Sequence, residues 1–235
     1  MRSTRTPAPR GASDGLGPGL LAFLRDLRQH NDREWFAKNK ARYLELVQEP
    51  ALGFIRRIGP GLNEFSSHLS ADPRPVGGSL SRIYRDLRFA KDKSPYKTSV
   101  GIHFPYRRHG EAEHLPGFYL HLSPGDSMVA SGVWQPAPPA LRRIRERIVA
   151  RPAAWAKVLG SGLALGGESL QRVPSGFAPD QPHAEDLKRK DFTASLPISD
   201  AAVGGPQFDR VFLDGCRKLD PLNRFVAEAM GLPWA

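Results

Sequence analysis

Ser99-Val100-Gly101-Ile102-His103-Phe104-Pro105 and Gly117-Phe118-Tyr119-Leu120-His121-Leu122-Ser123 each alternate apolar and other side chains. Val100, Ile102 and Phe104 fall on one side, and so do Phe118, Leu120 and Leu122. A period of two is the signature of strands with one buried face. Pro124-Gly125-Asp126 then predicts a turn into a third strand, Met128–Trp134. Short connections between consecutive strands predict antiparallel hairpins, with one sheet face in the core and the other open. Phe192–Ile198 is a further candidate strand.

Working upstream, the period becomes helical. Leu20, Leu21, Phe23, Leu24 and Leu27 repeat at helical spacing behind Pro18. Asn31 or Asp32 can cap a second helix, with Trp35, Phe36, Tyr43, Leu44 and Val47 near one face. Pro50 is expected to break the chain there. Leu52, Phe54, Ile55, Ile58, Leu62 and Phe65 predict a third helix, bent or interrupted at Gly59-Pro60-Gly61.

Downstream, Ala137–Ala150 predicts a helix with Pro138 or Pro139 in its first turn. Its Leu141, Ile144 and Ile148 face inward, and Arg142, Arg143, Arg145 and Arg147 are expected on a solvated surface. Another helix follows Pro152, then a loop at Gly160–Gly167. Gln207–Lys218 and Pro221–Met230 predict two closing helices. Helices, a strand meander and helices again define an α+β class. The expectation is an antiparallel sheet of about four to six strands with helices packed on one face, in one domain over 18–235. Met1–Gly17 is basic and poor in apolar residues, and predicts a disordered tail rather than a secretory signal.

Hydrophobic residues at 40% and charged residues at 25% describe an ordinary globular chain. No apolar run approaches a membrane span, so no membrane partner is expected. Cys216 is the single cysteine, which excludes an internal disulfide and a cysteine zinc site. These features fit a cytoplasmic location. The formal net charge of +10 favours acidic partners, nucleic acid among them.

The densest chemistry lies in Arg82-Ile83-Tyr84-Arg85-Asp86-Leu87-Arg88-Phe89-Ala90-Lys91-Asp92-Lys93-Ser94-Pro95-Tyr96-Lys97. Six cationic side chains face two carboxylates, a net +4. The first half, Arg82–Phe89, predicts a strand running into a lysine-rich turn closed by Pro95. In extended geometry Arg82, Tyr84, Asp86 and Arg88 share one face, while Ile83, Arg85, Leu87 and Phe89 share the other. Arg85, on the apolar face, needs a partner, and Asp92 or Glu34 can supply it.

Guanidinium forks beside flexible ammonium groups suit an anion with several oxygens. Arg82, Tyr84, Arg88, Lys93, Tyr96 and Lys97 are the candidate ligand contacts. Asp86, His103 and His121 are the candidate acid/base groups. A solvated salt-bridge ladder and two ordinary sheet histidines are the plain alternatives. No histidine-rich helix motif or dense His/Asp cluster points to a metal. No P-loop or nucleophile elbow is present either.

The same stretch carries R-x-x-R-D-x-R-F-x-x-D-K-x-P-Y, and so resembles a bacterial family catalogued as domain of unknown function 2461. Asn31-Asp32-Arg33-Glu34-Trp35-Phe36, Tyr96-Lys97-Thr98, Gly117-Phe118-Tyr119-Leu120, Pro174-Ser175-Gly176-Phe177 and Leu187-Lys188-Arg189-Lys190 extend the likeness from about Gly19 to the C-terminus. The chain departs from it at Gln181-Pro182-His183, where the family pattern has His-Pro. The resemblance implies a fold and a site location but no reaction and no cofactor.

The resulting expectation is a protein that binds a phosphate-bearing or other anionic small molecule at a basic sheet-face site, with acid/base chemistry left open. A nucleic-acid-binding module is one alternative. A scaffold domain whose signature is an internal ion-pair lattice is the other.

Overall fold

A computed structural model of the chain describes residues 16–88, 91–107 and 114–234. The chain begins with α1 (Pro18–Gln29), α2 (Arg33–Tyr43), a π-helical turn at Leu44–Gln48 and α3 (Glu49–Leu62). A long irregular segment leads to the meander β1 (Val100–Pro105), β2 (Gly117–Leu122) and β3 (Ser127–Val133). Then come α4 (Pro138–Ala150), α5 (Pro152–Gly160), β4 (Leu165–Gly166), α6 (Ala184–Leu187), β5 (Phe192–Ile198), α7 (Asp200–Gly204) and α8 (Phe208–Ala229).

Among the described residues the sheet has five antiparallel strands in the order β1-β2-β3-β5-β4. Ile102 pairs with Leu120, and Leu120 with Val129, so the apolar positions of neighbouring strands share a face. That face is buried under α8, which lies against β3 and β5, and α3 packs on α8. Phe54 of α3 meets Phe104, Phe208 and Phe212 at centroid separations of 5.3–6.3 Å. The other face carries His103, Tyr119, His121, Met128 and Ala130, all at least partly exposed. The α+β architecture therefore follows from the alternation in the meander, and Phe192–Ile198 joins it as β5.

Three prolines expected to interrupt helices do not. Pro50 follows directly on the π-helical turn Leu44–Gln48, whose altered hydrogen-bond pattern lets the helix continue from α2 past a residue with no N–H to give. Pro60 lies inside α3, and Pro221 lies inside α8, which is one helix rather than two. Each forfeits a hydrogen bond, but both helices are clamped by fully buried neighbours such as Ile55, Ile58, Leu219 and Leu222. Burial at this scale outweighs the local loss of about 3 kcal/mol that an exposed interior proline would cause.

Four further expectations are corrected. Arg145 is 8% exposed rather than solvated, and its Nη2 donates to the Arg189 carbonyl at 2.8 Å. Arg147 pairs with Glu228 and lies over the Phe225 ring, 5.3 Å from its centroid. The Gly160–Gly167 loop contains the short β4. Of the expected strand Arg82–Phe89, Phe89 lies outside the described residues and 82–88 is not a regular strand. Over 82–88 it makes a single bridge, Tyr84 with Tyr96, flanked by Arg85 N–H to Pro95 O (3.0 Å) and Lys97 N–H to Ile83 O (2.7 Å).

Of the N-terminal tail, residues 1–15 lie outside the described residues. Leu16 is 2% exposed and belongs to the core cluster.

Candidate functional site

The segment between α3 and β1 folds back on itself because its own carboxylates capture the backbone. Asp86 accepts the Arg88 N–H (3.1 Å) and holds the Arg88 guanidinium by Nε and Nη2 (3.0 and 2.6 Å). Asp92 accepts both the N–H (2.9 Å) and the hydroxyl (2.6 Å) of Ser94, and pairs with Arg85 Nη1. Donors tied up in such local turns are lost to a sheet ladder, and Pro95 has no N–H to give. This is why the strand fails while its side-chain alternation survives: Arg82, Tyr84, Asp86 and Arg88 are exposed, Ile83 is buried, and Arg85 and Leu87 are half-buried.

The return arm is docked onto the turn between α1 and α2. Asn31 acts as a surrogate strand: its Nδ2 donates to the Tyr96 carbonyl (3.0 Å) and its Oδ1 accepts the Tyr96 N–H (3.1 Å). The Tyr96 ring, 5% exposed, stacks on Phe36 at 4.1 Å. Asp32 caps α2 by accepting the Trp35 N–H at 2.8 Å, which orients this turn. Glu34, an expected alternative partner of Arg85, pairs instead with Lys38 at 2.7 Å.

Between these pieces lies a cleft of about 540 Å³, lined by Arg28, Asn31, Arg85, Asp92, Ser94, Tyr96, Lys97, Thr98 and Ser99. Arg28, in the last turn of α1, donates through Nη2 to Ser123 Oγ at 3.2 Å. Three cations against one carboxylate leave the lining with a net +2. Asp92 is held well below the usual carboxylate range, first by the Ser94 hydroxyl and N–H and then by Arg85, so it remains charged and committed to its partners. Lys97 is half-buried, and among the described residues it has no carboxylate partner. Burial and the nearby Arg82 both push its ammonium pKa down.

Of the candidate ligand contacts, Tyr96 and Lys97 line the cleft. Arg82 is exposed and acts on Lys97 and Asp86 through its charge. Tyr84, 53% exposed, lies edge-on to Phe36 and near Tyr96. Arg88 is folded onto Asp86, and Lys93 Nζ donates to the Leu87 carbonyl at 3.1 Å. The candidate acid/base groups are divided. Asp86 is kept in its charged form mainly by Arg88, which makes it a poor proton acceptor near neutrality.

His103 and His121 stand on the open sheet face, with Tyr119 between them at centroid distances of 5.3 and 6.3 Å. His103 pairs across strands with Tyr119 and His121 with Gly101, so the two imidazoles are diagonal neighbours. Surrounding protein lowers both imidazole pKa values; nearby His114 lowers that of His103 further, while Asp126 partly offsets the fall at His121. Neither histidine lines the cleft. No cluster of histidines, cysteines and carboxylates able to hold a metal occurs among the described residues.

Sequence reasoning missed Arg28, Ser94, Thr98 and Ser99, and took Asn31 only as a cap. Arg28 is one arginine among many on amphipathic helices, with no local signal. Asn31 had one: a polar side chain at the junction of two helices next to a capping Asp32 is free to serve another segment.

A model of the family described as conserved hypothetical protein, DUF2461, matches residues 19–225. No curated protein matches the chain, and no solved structure does. The family match takes in every residue that builds the cleft, from Arg28 to Ser99, and the chain belongs to the DUF2461 family.

Proposed function

We propose that the cleft binds a small molecule bearing a dianionic phosphate. The observation that carries this reading is the lining itself: Arg28, Arg85 and Lys97 converge on one cavity with only Asp92 to offset them. Guanidinium and ammonium donors match phosphate oxygens, and the hydroxyls of Ser94, Thr98 and Ser99 add neutral hydrogen-bonding groups. A volume near 540 Å³ falls inside the usual range of about 300–1,000 Å³ for small-molecule sites and exceeds what inorganic phosphate alone would fill. A sugar phosphate or nucleotide fits that size. Tyr96 and Lys97 remain ligand contacts in this reading, joined by Arg28 and Arg85, while Arg82 contributes long-range positive charge.

The scaffold alternative requires Arg82, Arg85 and Asp86 to be buried and mutually satisfied. Arg82 and Asp86 are exposed, and Arg85 borders an open cavity.

Thermal melts of the full chain across a panel of phosphate, sugar phosphates and nucleotides, at matched ionic strength, test the proposal. A ligand present at about 100 times its Kd raises apparent stability by about 2.7 kcal/mol. At least one phosphate-bearing compound should give a saturable rise that Arg28→Ala sharply reduces. A flat response across the panel would remove the reading.

A further inference from the structure

Lys97 differs from every other lysine of the chain. Lys38, Lys188 and Lys190 are each tied to a glutamate, at 2.7, 2.6 and 3.0 Å. Lys93 donates to a backbone carbonyl. Lys40, Lys91, Lys157 and Lys218 are exposed. Lys97 alone combines partial burial, a place in the lining of a cavity and, among the described residues, the lack of any carboxylate to hold its ammonium form. Its neighbours in and beside the cleft include three cations, Arg28, Arg82 and Arg85, against one carboxylate, Asp92, which is already held by Ser94 and Arg85.

An amine in such surroundings is displaced toward its neutral, nucleophilic form by two physical causes at once, desolvation and like charge. The lowered pKa of Lys97 agrees with that placement. The same arginines would anchor the anionic end of a ligand and set any carbonyl it carries beside the amine. Such anchoring converts a bimolecular attack into an effectively unimolecular one.

We propose that Lys97 is an imine-forming lysine, which captures the aldehyde or ketone group of a phosphate-bearing ligand held by Arg28 and Arg85. The Lys97 nitrogen lone pair adds to the carbonyl carbon and gives a carbinolamine. That intermediate loses its oxygen as water, leaving a C=N bond, so one amine and one carbonyl yield one imine and one water, with no redox partner. The inference rests on the anion-binding reading of the cleft and goes beyond it by naming the covalent chemistry of the ligand.

The test uses pyridoxal 5′-phosphate as an aldehyde probe that carries a phosphate, and pyridoxal as its phosphate-free control. The full chain is incubated with each, reduced with borohydride to fix any imine, and mapped by peptide mass spectrometry. Lys97 should be labelled by the phosphorylated probe at about tenfold lower concentration than Lys40 or Lys157. Excess inorganic phosphate should protect Lys97 and leave the exposed lysines unaffected. Lys97→Arg should abolish the adduct at that position, because a guanidinium forms no imine with the probe, while Lys40 and Lys157 are labelled as in the parent.

Labelling that merely follows exposure, or that phosphate does not suppress, overturns the imine proposal. An unlabelled Lys97 in a protein that phosphate still stabilises overturns it too, and leaves the anion site standing. No label and no stabilisation by any member of the ligand panel removes both.

Discussion

Asn31 holds the signature loop as a neighbouring strand would, with one side-chain amide matching both polar groups of the Tyr96 peptide. Removing that amide leaves a part-buried donor and acceptor unpaired. Asn31→Ala is therefore expected to destabilise by about 1–3 kcal/mol and to weaken the phosphate response, since Ser94, Tyr96 and Lys97 all ride on that arm. Denaturant titration checks the first part, and loss of stability without any loss of phosphate response would contradict the second.

Asp92 makes a pH prediction. Its folded-state pKa is depressed by Ser94 and Arg85, so its stabilising contribution is present above the ordinary carboxylate pKa and is lost as pH falls through the folded value. Melting temperatures followed downward from neutrality should begin to drop below about pH 4. Asp92→Asn should flatten part of that drop. Parallel curves for parent and variant would show that the Asp92 turn adds nothing. The group is exposed, so the effect is read from the shape of the curve, not from a large energy.

At the scale of elements, the sheet is keyed to α8 by Asn223. This residue is fully buried; it accepts the Gly132 N–H at 2.8 Å and donates to the Gly117 carbonyl at 3.1 Å, joining β2 and β3 to the helix. Gly132 has φ +104°, and a Cβ there would stand 1.9 Å from the Phe192 carbonyl oxygen of β5. Gly125 also has a positive φ, +77°, but its Cβ would meet nothing within 4 Å. Gly125→Ala should thus carry only the left-handed strain of about 1–2 kcal/mol. Gly132→Ala must in addition push β5 from β3 and should lose far more stability. Equal midpoints for the two variants would contradict this account of the sheet.

The meander was legible because Val100, Ile102 and Phe104 alternate without exception, and the burial that enforces alternation is local to each strand. Residues 82–88 alternate equally well yet form no regular strand. Periodicity reports which side chains face inward, whereas a strand pair needs free backbone donors, and Asp86 captures the Arg88 N–H on one arm while Asp92 captures the Ser94 N–H on the other. The unbroken helices through Pro60 and Pro221 were hidden for the opposite reason: tertiary burial overrides a local penalty that sequence shows plainly. Of the cleft, Tyr96 and Lys97 were legible as part of a dense cationic motif. Arg28 and Ser99 were not, because only the fold brings α1 and the start of β1 to the same cavity.

For the whole molecule, the formal charge of +10 is distributed unevenly in what it can do. On α4, Arg142 is paired with Glu146 and Arg147 with Glu228, and Arg145 is buried against a carbonyl. Those arginines do not form a free phosphate track along the helix. Binding to generic DNA or RNA is accordingly expected to be weak and to vanish as salt rises, and fluorescence anisotropy across a salt series measures it. Tight binding that persists at physiological salt would favour the nucleic-acid module instead.

Where a phosphate goes on the molecule decides whether the cleft is an anion site. The direct measurement is an amide ¹H–¹⁵N titration of the full chain with phosphate, and with whichever phosphate ester stabilises it most, at constant ionic strength. Saturable shifts confined to Arg28–Asn31 and Ser94–Ser99, lost in Arg28→Ala, are the predicted result. Shifts that grow linearly without saturation, or that scatter over the basic surface and spare those two segments, would contradict it.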